Sequence, residues 1–357
     1  MLKSLETSHI IVRMPNWIGD LVMATPLLYD LRKAFPSSQV TAMCKASLAP
    51  LLEKDPSINE LFRFSPSENF LRRIQEKNLV SQLRKGRYDL GVLATNSFSS
   101  AWRLFQGKVQ TIVGFKGDGR GWMLKKALPF PEKRQAQHLV LTYKRLLLPL
   151  GIPISSTAPR LYLNEDEIDA AWMFLKRFSV DRSHKIIGIN PGAAFGQAKC
   201  WLPDRFREVI KRLSAKCPSH RILVFGDLGH KKLIQTICSG LSSQVINLSG
   251  QTDLRELMAL IALCSVFLTN DSGPMHIADS LNVPLVALFG STDPIVTGPY
   301  SRNIGVIQEK VACAPCFKRI CPIDFLCMKK ISVEQVCKSL FQILDMQTSQ
   351  LSLRERS

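Results

Sequence analysis

Several signatures of common protein classes are missing from this 357-residue sequence. No apolar run reaches the roughly 18 residues that a membrane-spanning helix needs, and the first residues lack the apolar core of a signal peptide. There is no Walker A loop, and no G-x-G-x-x-G segment follows the first apolar stretch. These absences argue against a P-loop nucleotidase and an NAD-dependent dehydrogenase. We therefore expect a cytoplasmic protein of another class.

Paired acidic metal ligands are also missing, whereas cysteine is plentiful. No Asp-x-Asp pair occurs, so we expect no metal ion at the site of reaction and no cofactor. Ten Cys without a signal peptide indicate reduced thiols rather than a disulfide scaffold. A Cys-rich loop over residues 313–327 holds Cys313, Cys316, Cys321 and Cys327. A zinc site and free thiols that stabilise the loop are both compatible with it, but the spacing departs from paired C-x2-C knuckles and no His lies nearby.

Acidic residues are scarce relative to basic ones, and the imbalance is uneven. The net charge is +18, and residues 1–150 hold 23 Lys and Arg against 11 Asp and Glu. A basic front half suggests an anionic partner, such as nucleic acid, an anionic membrane face or a phosphorylated lipid, although solvated lysines alone would give the same count. No nucleic-acid-binding motif accompanies the charge, so we expect no nucleic acid partner.

The length and the alternation of apolar stretches predict two α/β domains. We place a Rossmann-like domain at residues 1–160, a second at 161–331, and a disordered tail at 347–357. Each domain is predicted to be a doubly wound parallel sheet, because short apolar runs alternate with helical patterns throughout. Ligands of such sheets bind at the carboxyl ends of the strands.

One βαβ unit over Val266–Gly290 carries a turn suited to phosphate. Two buried strands are predicted at Val266–Thr269 and Pro284–Phe289, with a helix after the segment Asn270–Pro274. The free N–H groups at the start of that helix favour an anion. Candidate phosphate-binding residues here are Asp271, Ser272, Gly273 and His276. An ordinary helix cap, with a buried structural His, fits the same residues.

A second strand, Ile186–Asn190, runs into a loop with two glycines that ends in a lone lysine. Gly192 lets the backbone approach a ligand, and Lys199 can neutralise a diphosphate. Thr252, ahead of a later helix, is a further candidate for the donor site, although it could equally be a turn residue. Near the N-terminus, Asp20 follows the first strand at the start of a helix, where it is either a catalytic carboxylate or a helix-charging residue.

Four segments together resemble the ADP-heptose:lipopolysaccharide heptosyltransferases, specifically the type II group. They read RMPNWIGDLVMATPLL, PGAAFGQAKCWLPDRF, TNDSGPMHIADSLNVPLVALFG and CAPCFKRICPIDFLCMKKIS, in that order. The resemblance implies a GT-B fold, in which the two Rossmann-like domains face each other across a cleft and a helix at 332–346 crosses back to the first domain. It also implies that Asp20 is the catalytic base. Asp324-Phe325 departs from the Gly-His pair of this group, so the resemblance identifies the donor more firmly than the acceptor.

The resemblance implies an inverting glycosyltransferase that moves heptose from ADP-L-glycero-D-manno-heptose to the inner-core heptose of lipopolysaccharide. The expected partners are ADP-heptose, the inner-core acceptor and the cytoplasmic face of the inner membrane, where the protein would be peripheral. One alternative is a related transferase for another nucleotide sugar or core acceptor. Another is a non-catalytic protein that binds nucleotide or nucleic acid through its positive charge.

Overall fold

The computed structural model describes residues 7–65, 72–131, 137–301 and 304–354. The chain divides into two compact units, Met1–Tyr162 and Leu163–Ser357. The boundary predicted from the sequence lay two residues earlier, at 160/161. Each unit is built around one six-stranded sheet in which every strand pairs in parallel with its neighbours.

The first unit contains a sheet with the strand order 3-2-1-4-5-6 of a Rossmann fold. Its strands are β1 His9–Arg13, β2 Gln39–Lys45, β3 Glu60–Phe64, β4 Leu90–Leu93, β5 Thr111–Phe115 and β6 Lys126–Leu128. Its helices are α1 Ile18–Ala24, α2 Pro26–Ala34, α3 Arg72–Lys85, α4 Phe98–Gln106 and α5 Leu139–Arg145. The order reverses between β1 and β4, so this pair marks the ligand-binding edge of the sheet.

The second unit repeats the same order, with its six strands arranged β12-β11-β10-β7-β8-β9. Its strands are β7 Lys185–Asn190, β8 His220–Val224, β9 Val245–Asn247, β10 Cys264–Asn270, β11 Leu285–Phe289 and β12 Ile304–Gln308. Its helices are α6 Glu165–Lys176, α7 Pro203–Lys216, α8 Lys231–Cys238, α9 Leu254–Ala262, α10 Gly273–Ser280, α11 Pro294–Thr297, α12 Leu326–Lys330 and α13 Val333–Arg354. Here the strand order reverses between β7 and β10.

Both sheets are buried on their two faces, which explains the continuous apolar runs in the sequence. Every residue of β4, β5 and β11 is buried. The helices α7 and α13 cover one face of the second sheet, and their buried side chains belong to its main apolar cluster. The two Rossmann-like domains predicted from the alternating pattern are therefore confirmed.

Five elements were not expected from the sequence: α4, β6, α11, β12 and α12. The two strands lie at the ends of their sheets, and β6 has only three residues, all half-buried. The first two helices, α1 and α2, meet at Thr25, because Pro26 begins the second one. Helix α3 begins at Arg72 among the described residues.

The last helix corrects two expectations. Residues 332–346 were expected to cross back to the first unit, but α13 packs against α7, β10, β11 and β12 of the second. Its apolar face, with Val336, Leu340 and Leu344, is buried in that unit's core. The helix also continues to Arg354, so the predicted disordered tail 347–357 is helical over most of its length. The Gln347 side chain donates a hydrogen bond to the Ser265 carbonyl oxygen, and residues 355–357 lie outside the described chain.

Within the described ranges, no helix is both long enough and apolar enough to cross a bilayer.

Candidate active site

Most of the predicted donor-binding residues lie at the carboxyl edge of the second sheet. Strands β7 and β10 are neighbours there, with Asn190 paired in register with Thr269. The loop after β7 carries Gly192 and Lys199, and the turn after β10 carries Asp271, Ser272 and Gly273. This pair of strands is the switch point of the sheet, where open α/β sheets bind their ligands.

Lys199 and Asp271 form a buried ion pair at this edge. The Lys199 Nζ lies 2.5 Å from Asp271 Oδ2, and the two side chains are 11% and 4% exposed. The Thr292 hydroxyl donates a second hydrogen bond to the same carboxylate oxygen at 2.6 Å. Thr292 was not predicted from the sequence. It follows β11 as Asp271 follows β10, so the meeting of parallel strand ends at one edge would have identified it.

Two asparagines tie the lysine-bearing loop to the turn that begins α10. Asn190 Nδ2 donates to the Gly192 carbonyl oxygen at 3.1 Å and to the Ser272 hydroxyl at 3.1 Å. Asn270 Nδ2 donates to the Pro191 carbonyl oxygen at 2.6 Å, and its Oδ1 accepts the Trp201 N–H at 3.1 Å. Both asparagines are buried, and these hydrogen bonds provide their side-chain N–H groups with partners inside the protein.

Helix α10 presents free donors beside the ion pair. Ser272 is its N-cap, with extended backbone and no side-chain capping bond, and Gly273 is its first residue. Within the described chain, the N–H groups of Ser272 and Gly273 make no hydrogen bond. Such donors at a helix N-terminus favour an anion, and so does the helix dipole.

Two glycines of the lysine-bearing loop are required by close contacts. A Cβ at Gly192 would lie 2.9 Å from Cγ of the His230 ring. Gly196 has a φ of +149°, and a Cβ there would lie 2.4 Å from the carbonyl oxygen of Arg319. The same carbonyl oxygen accepts the Ala198 N–H at 3.0 Å. The Cys-rich loop therefore supports the loop that carries Lys199.

A second cation lies close to Lys199, across an aromatic ring. The Phe195 ring centroid is 4.7 Å from Lys199 Nζ and 5.3 Å from the Arg319 guanidinium carbon. Both distances are within the range of cation–π attraction. Arg319 was not predicted as a site residue, since nothing in its local sequence distinguishes it from the neighbouring Lys318.

The remaining two candidates, Thr252 and His276, lie on the segment before α9 and on α10, respectively. Thr252 follows Gly250, whose N–H donates to the Gly226 carbonyl oxygen at 2.8 Å, so it also lies near the carboxyl edge of the sheet. No hydrogen bond joins Thr252 to Lys199 or Asp271 in the described chain, and the N-cap of α9 is Asp253. His276 lies in α10 and is buried. The ion pair, Gly192 and the start of α10 are thus brought together.

In the first unit, Asp20 lies in the first turn of α1, directly after the turn that follows β1. The Tyr143 hydroxyl donates a hydrogen bond to Asp20 Oδ1 at 3.1 Å. Burial, and then the negative charge of Asp20, raise the pKa of Tyr143 well above its usual value. Tyr143 therefore remains a hydrogen-bond donor to this carboxylate at any physiological pH.

Arg13, the buried last residue of β1, stabilises the turn before Asp20 through hydrogen bonds. Its guanidinium donates to the Asn16 side-chain oxygen at 2.7 Å and to the Met14 carbonyl oxygen. Burial is the main cause that lowers the pKa of Arg13 to about 10, and this value still leaves the side chain charged at neutral pH. Neither Arg13 nor Tyr143 was predicted from the sequence, because their roles depend on contacts between distant segments.

The segment Gly117–Trp122, which follows β5, is anchored through Arg120. Arg120 is fully buried and donates to the carbonyl oxygens of Phe115 at 2.9 Å and of Thr95 at 2.6 Å. It also donates to Asn96 Oδ1 at 2.9 Å. These bonds join the segments that follow β4 and β5.

The Cys-rich loop 313–327 forms one wall of a cavity in the second unit. All four of its cysteines line this cavity, with Ala198 and Ser291 opposite. All ten cysteines are free thiols. Among the residues that the structure describes, no group of three or more His, Cys, Asp or Glu side chains is placed to hold a metal ion.

Comparison with known proteins identifies one family. The model of glycosyltransferase family 9 (heptosyltransferase) matches residues 77–326. The lipooligosaccharide heptosyltransferase 2 of Haemophilus ducreyi is 31% identical over 312 residues, which are 84% of this chain and 88% of that protein. That of Campylobacter jejuni (strain 81116) is 30% identical, over 93% and 98%. The solved structure of Escherichia coli ADP-heptose lps heptosyltransferase II has a TM-score of 0.82 and 28% identity, over 95% and 99%.

Proposed function

We propose that this chain, which belongs to glycosyltransferase family 9, transfers heptose from ADP-L-glycero-D-manno-heptose to the inner-core heptose of lipopolysaccharide, with inversion. The names of its relatives support the sugar and the acceptor class. The observation on which the proposal depends is the buried Lys199–Asp271 pair beside the free N–H groups of α10. This arrangement suits a nucleotide diphosphate, which is the part of the donor that leaves.

On the donor side, the departing ADP gains negative charge as the bond between the sugar and the β-phosphate breaks. Lys199 and the N–H groups of Ser272 and Gly273 would meet that charge. Donors already fixed in place stabilise such charge without reorganising, and losing one of them typically slows a reaction by about 10²–10³-fold. Gly192 would let the loop backbone approach the diphosphate closely.

Asp271 has a narrower role in this proposal than a direct sugar contact. Its carboxylate is buried and already accepts hydrogen bonds from Lys199 and Thr292. It is therefore best placed to hold the lysine, and we assign it as a positioning residue. Thr252 and His276 would contribute to the nucleotide site only at its margin.

On the acceptor side, Asp20 would act as the general base. The acceptor hydroxyl oxygen forms a bond to the anomeric carbon, the bond from that carbon to the β-phosphate oxygen breaks, and the hydroxyl proton moves to the Asp20 carboxylate. Tyr143 orients this carboxylate through its hydrogen bond. Base catalysis of this kind contributes about 10²–10⁴-fold to the rate.

We further propose that the reaction takes place at the cytoplasmic face of the inner membrane, with the protein peripheral to it, because lipopolysaccharide is a lipid-anchored acceptor. The basic first 150 residues support this location. Nucleic acid has no part in the proposed function.

The test is ADP release by the purified protein with ADP-heptose, with and without a heptosylated inner-core acceptor. We expect release that depends on the acceptor, with little turnover of UDP- or GDP-sugars. Release with a UDP- or GDP-sugar in place of ADP-heptose would identify a different transferase. Binding without any sugar transfer, weakening steeply with salt, would instead indicate a nucleic-acid-binding protein.

A further inference from the structure

Helix α4 carries a cluster of exposed aromatic side chains that the proposed reaction does not use. Phe98, Trp102 and Phe105 lie on one face of the helix and are 42%, 37% and 44% exposed. Trp122, which is 63% exposed, completes the cluster from the segment after β5. Its ring centroid lies 5.2 Å from that of Phe105 and 6.3 Å from that of Trp102. We call these four side chains the aromatic patch.

The aromatic patch is on the side of α4 that faces away from the protein core. The opposite side of the helix, with Ser100, Ala101 and Leu104, is buried. A surface helix normally carries polar residues on its outer face. The exposed fractions of the four rings correspond to roughly 400 Å² of apolar surface, a size that usually marks an interaction site.

The surroundings of the aromatic patch are basic. Residues 98–131 contain six Lys and Arg and one Asp. Arg120 is buried and Arg103 is paired with Glu76, but Lys108, Lys116 and Lys125 are exposed. Lys108 is three residues beyond Phe105, and Lys125 is three beyond Trp122. The apolar surface is therefore accompanied by exposed cations that can meet an anionic partner.

We propose that the aromatic patch is a docking surface for an anionic lipid bilayer. Trp and other aromatic rings partition into the interface between headgroups and acyl chains, and neighbouring lysines are attracted to anionic headgroups. A second copy of the chain would bring two patches of like charge together, which opposes a symmetric dimer. The bilayer is the occupant whose apolar and anionic parts match both features.

The position of the aromatic patch suits a lipid-anchored acceptor, and this part of the inference rests on the proposed function. Helix α4 follows β4 and Trp122 follows β5, so both leave the sheet at the carboxyl ends of its strands. Asp20 leaves the same sheet at the carboxyl end of β1. Docking through the aromatic patch would hold one edge of the first unit at the membrane, and this edge carries the proposed base.

The test is sedimentation with vesicles of phosphatidylcholine and of phosphatidylcholine with phosphatidylglycerol, without any nucleotide sugar. We expect binding to the anionic vesicles that weakens with salt. The double substitution Trp102→Gln/Phe105→Gln should weaken it by at least about 30-fold, because the buried apolar area is lost while a helix-compatible residue remains. The matched control is Met173→Gln, which changes a side chain of the second unit that is 60% exposed and should leave binding unchanged.

A second measurement locates the contact. Lipids brominated near the headgroup should quench the tryptophan fluorescence of the wild-type protein. Trp17 is 55% exposed at the same edge of the sheet, so the comparison is made in a Trp17→Phe background, where Trp102→Phe/Trp122→Phe should retain vesicle binding but lose most of that quenching. Unchanged quenching in this variant would overturn the proposal.

The other outcomes are equally decisive. Wild-type binding by Trp102→Gln/Phe105→Gln would show that the aromatic patch does not dock on lipid. A wild-type dimer in light scattering that this variant loses would assign the patch to a subunit interface. If vesicle binding is as expected but ADP-heptose is not consumed, the proposed function fails while the docking surface stands.

Discussion

Replacing Lys199 by Met removes one charge from a buried pair and one proposed donor to the diphosphate. A hydrogen bond to a charged group contributes about 1.5–3 kcal/mol, so ADP should bind roughly 10–150-fold more weakly. The substitution also leaves the carboxylate of Asp271, which is 4% exposed, without its cation. Removing one partner of a buried pair costs about 3–5 kcal/mol of unfolding free energy. Isothermal titration with ADP and urea denaturation measure the two effects separately.

The double variant Lys199→Met/Asp271→Asn separates binding from stability. It removes both charges, so the unfolding free energy should recover most of the loss seen in Lys199→Met, whereas ADP binding should stay weak. Lys211→Met, which changes an exposed lysine on α7, is the control and should change stability by less than about 0.5 kcal/mol. If the double variant regained wild-type ADP binding and turnover, Lys199 would only neutralise Asp271, and the proposed donor role would be refuted.

Three further substitutions test the rest of the site. Asp20→Asn should lower kcat by about 10²–10⁴-fold while ADP binding is retained, and near-normal turnover would rule out the base assignment. Gly196 has a φ of +149° and faces the Arg319 carbonyl oxygen, so Gly196→Ala should lower the unfolding free energy by about 1–3 kcal/mol in urea denaturation and weaken ADP binding. The control is Gly117→Ala, which has a similar φ but open space around it and should leave ADP binding unchanged. Because the pKa of Tyr143 is raised on folding, the unfolding free energy should fall as the pH rises above about 10. Tyr143→Phe should show a smaller fall, and equal slopes of unfolding free energy against pH in the two proteins would contradict a buried neutral tyrosine.

The two sheets could be predicted because their central strands are buried on both faces. Strands such as β7 and β11 read as short runs of branched apolar residues between turns, and this pattern needs no knowledge of the partner strand. The strands at the sheet ends gave weaker signals. Lys126–Leu128 is half-buried throughout, and a three-residue run of this kind is not distinguishable from a loop.

The pairing within the site could not be predicted from the sequence. Lys199 and Asp271 are 72 residues apart, and Asp271 and Thr292 are 21 apart. Lys199 and Asp271 were recognised as polar residues in segments that follow strands, and Thr292 could have been recognised in the same way. Their contact depends on β7 lying beside β10 and β10 beside β11, although β8 and β9 come between β7 and β10 along the chain. The packing of α13 could not be predicted for the same reason, because its amphipathic pattern predicts a helix but not the sheet that it covers.

The Lys199–Asp271 ion pair is also compatible with the proposed role of the lysine at a departing diphosphate. An ammonium group has three donors, and in the described chain Lys199 uses one of them, toward Asp271. The contact fixes the direction of a side chain that would otherwise lose up to about 2 kcal/mol of rotamer entropy on ordering. The other two N–H groups remain available for the proposed ligand, and the Phe195 ring centroid lies 4.7 Å from the Lys199 Nζ. Because a paired lysine and carboxylate carry no net charge, the N–H groups of α10 would supply much of the proposed attraction for the anion.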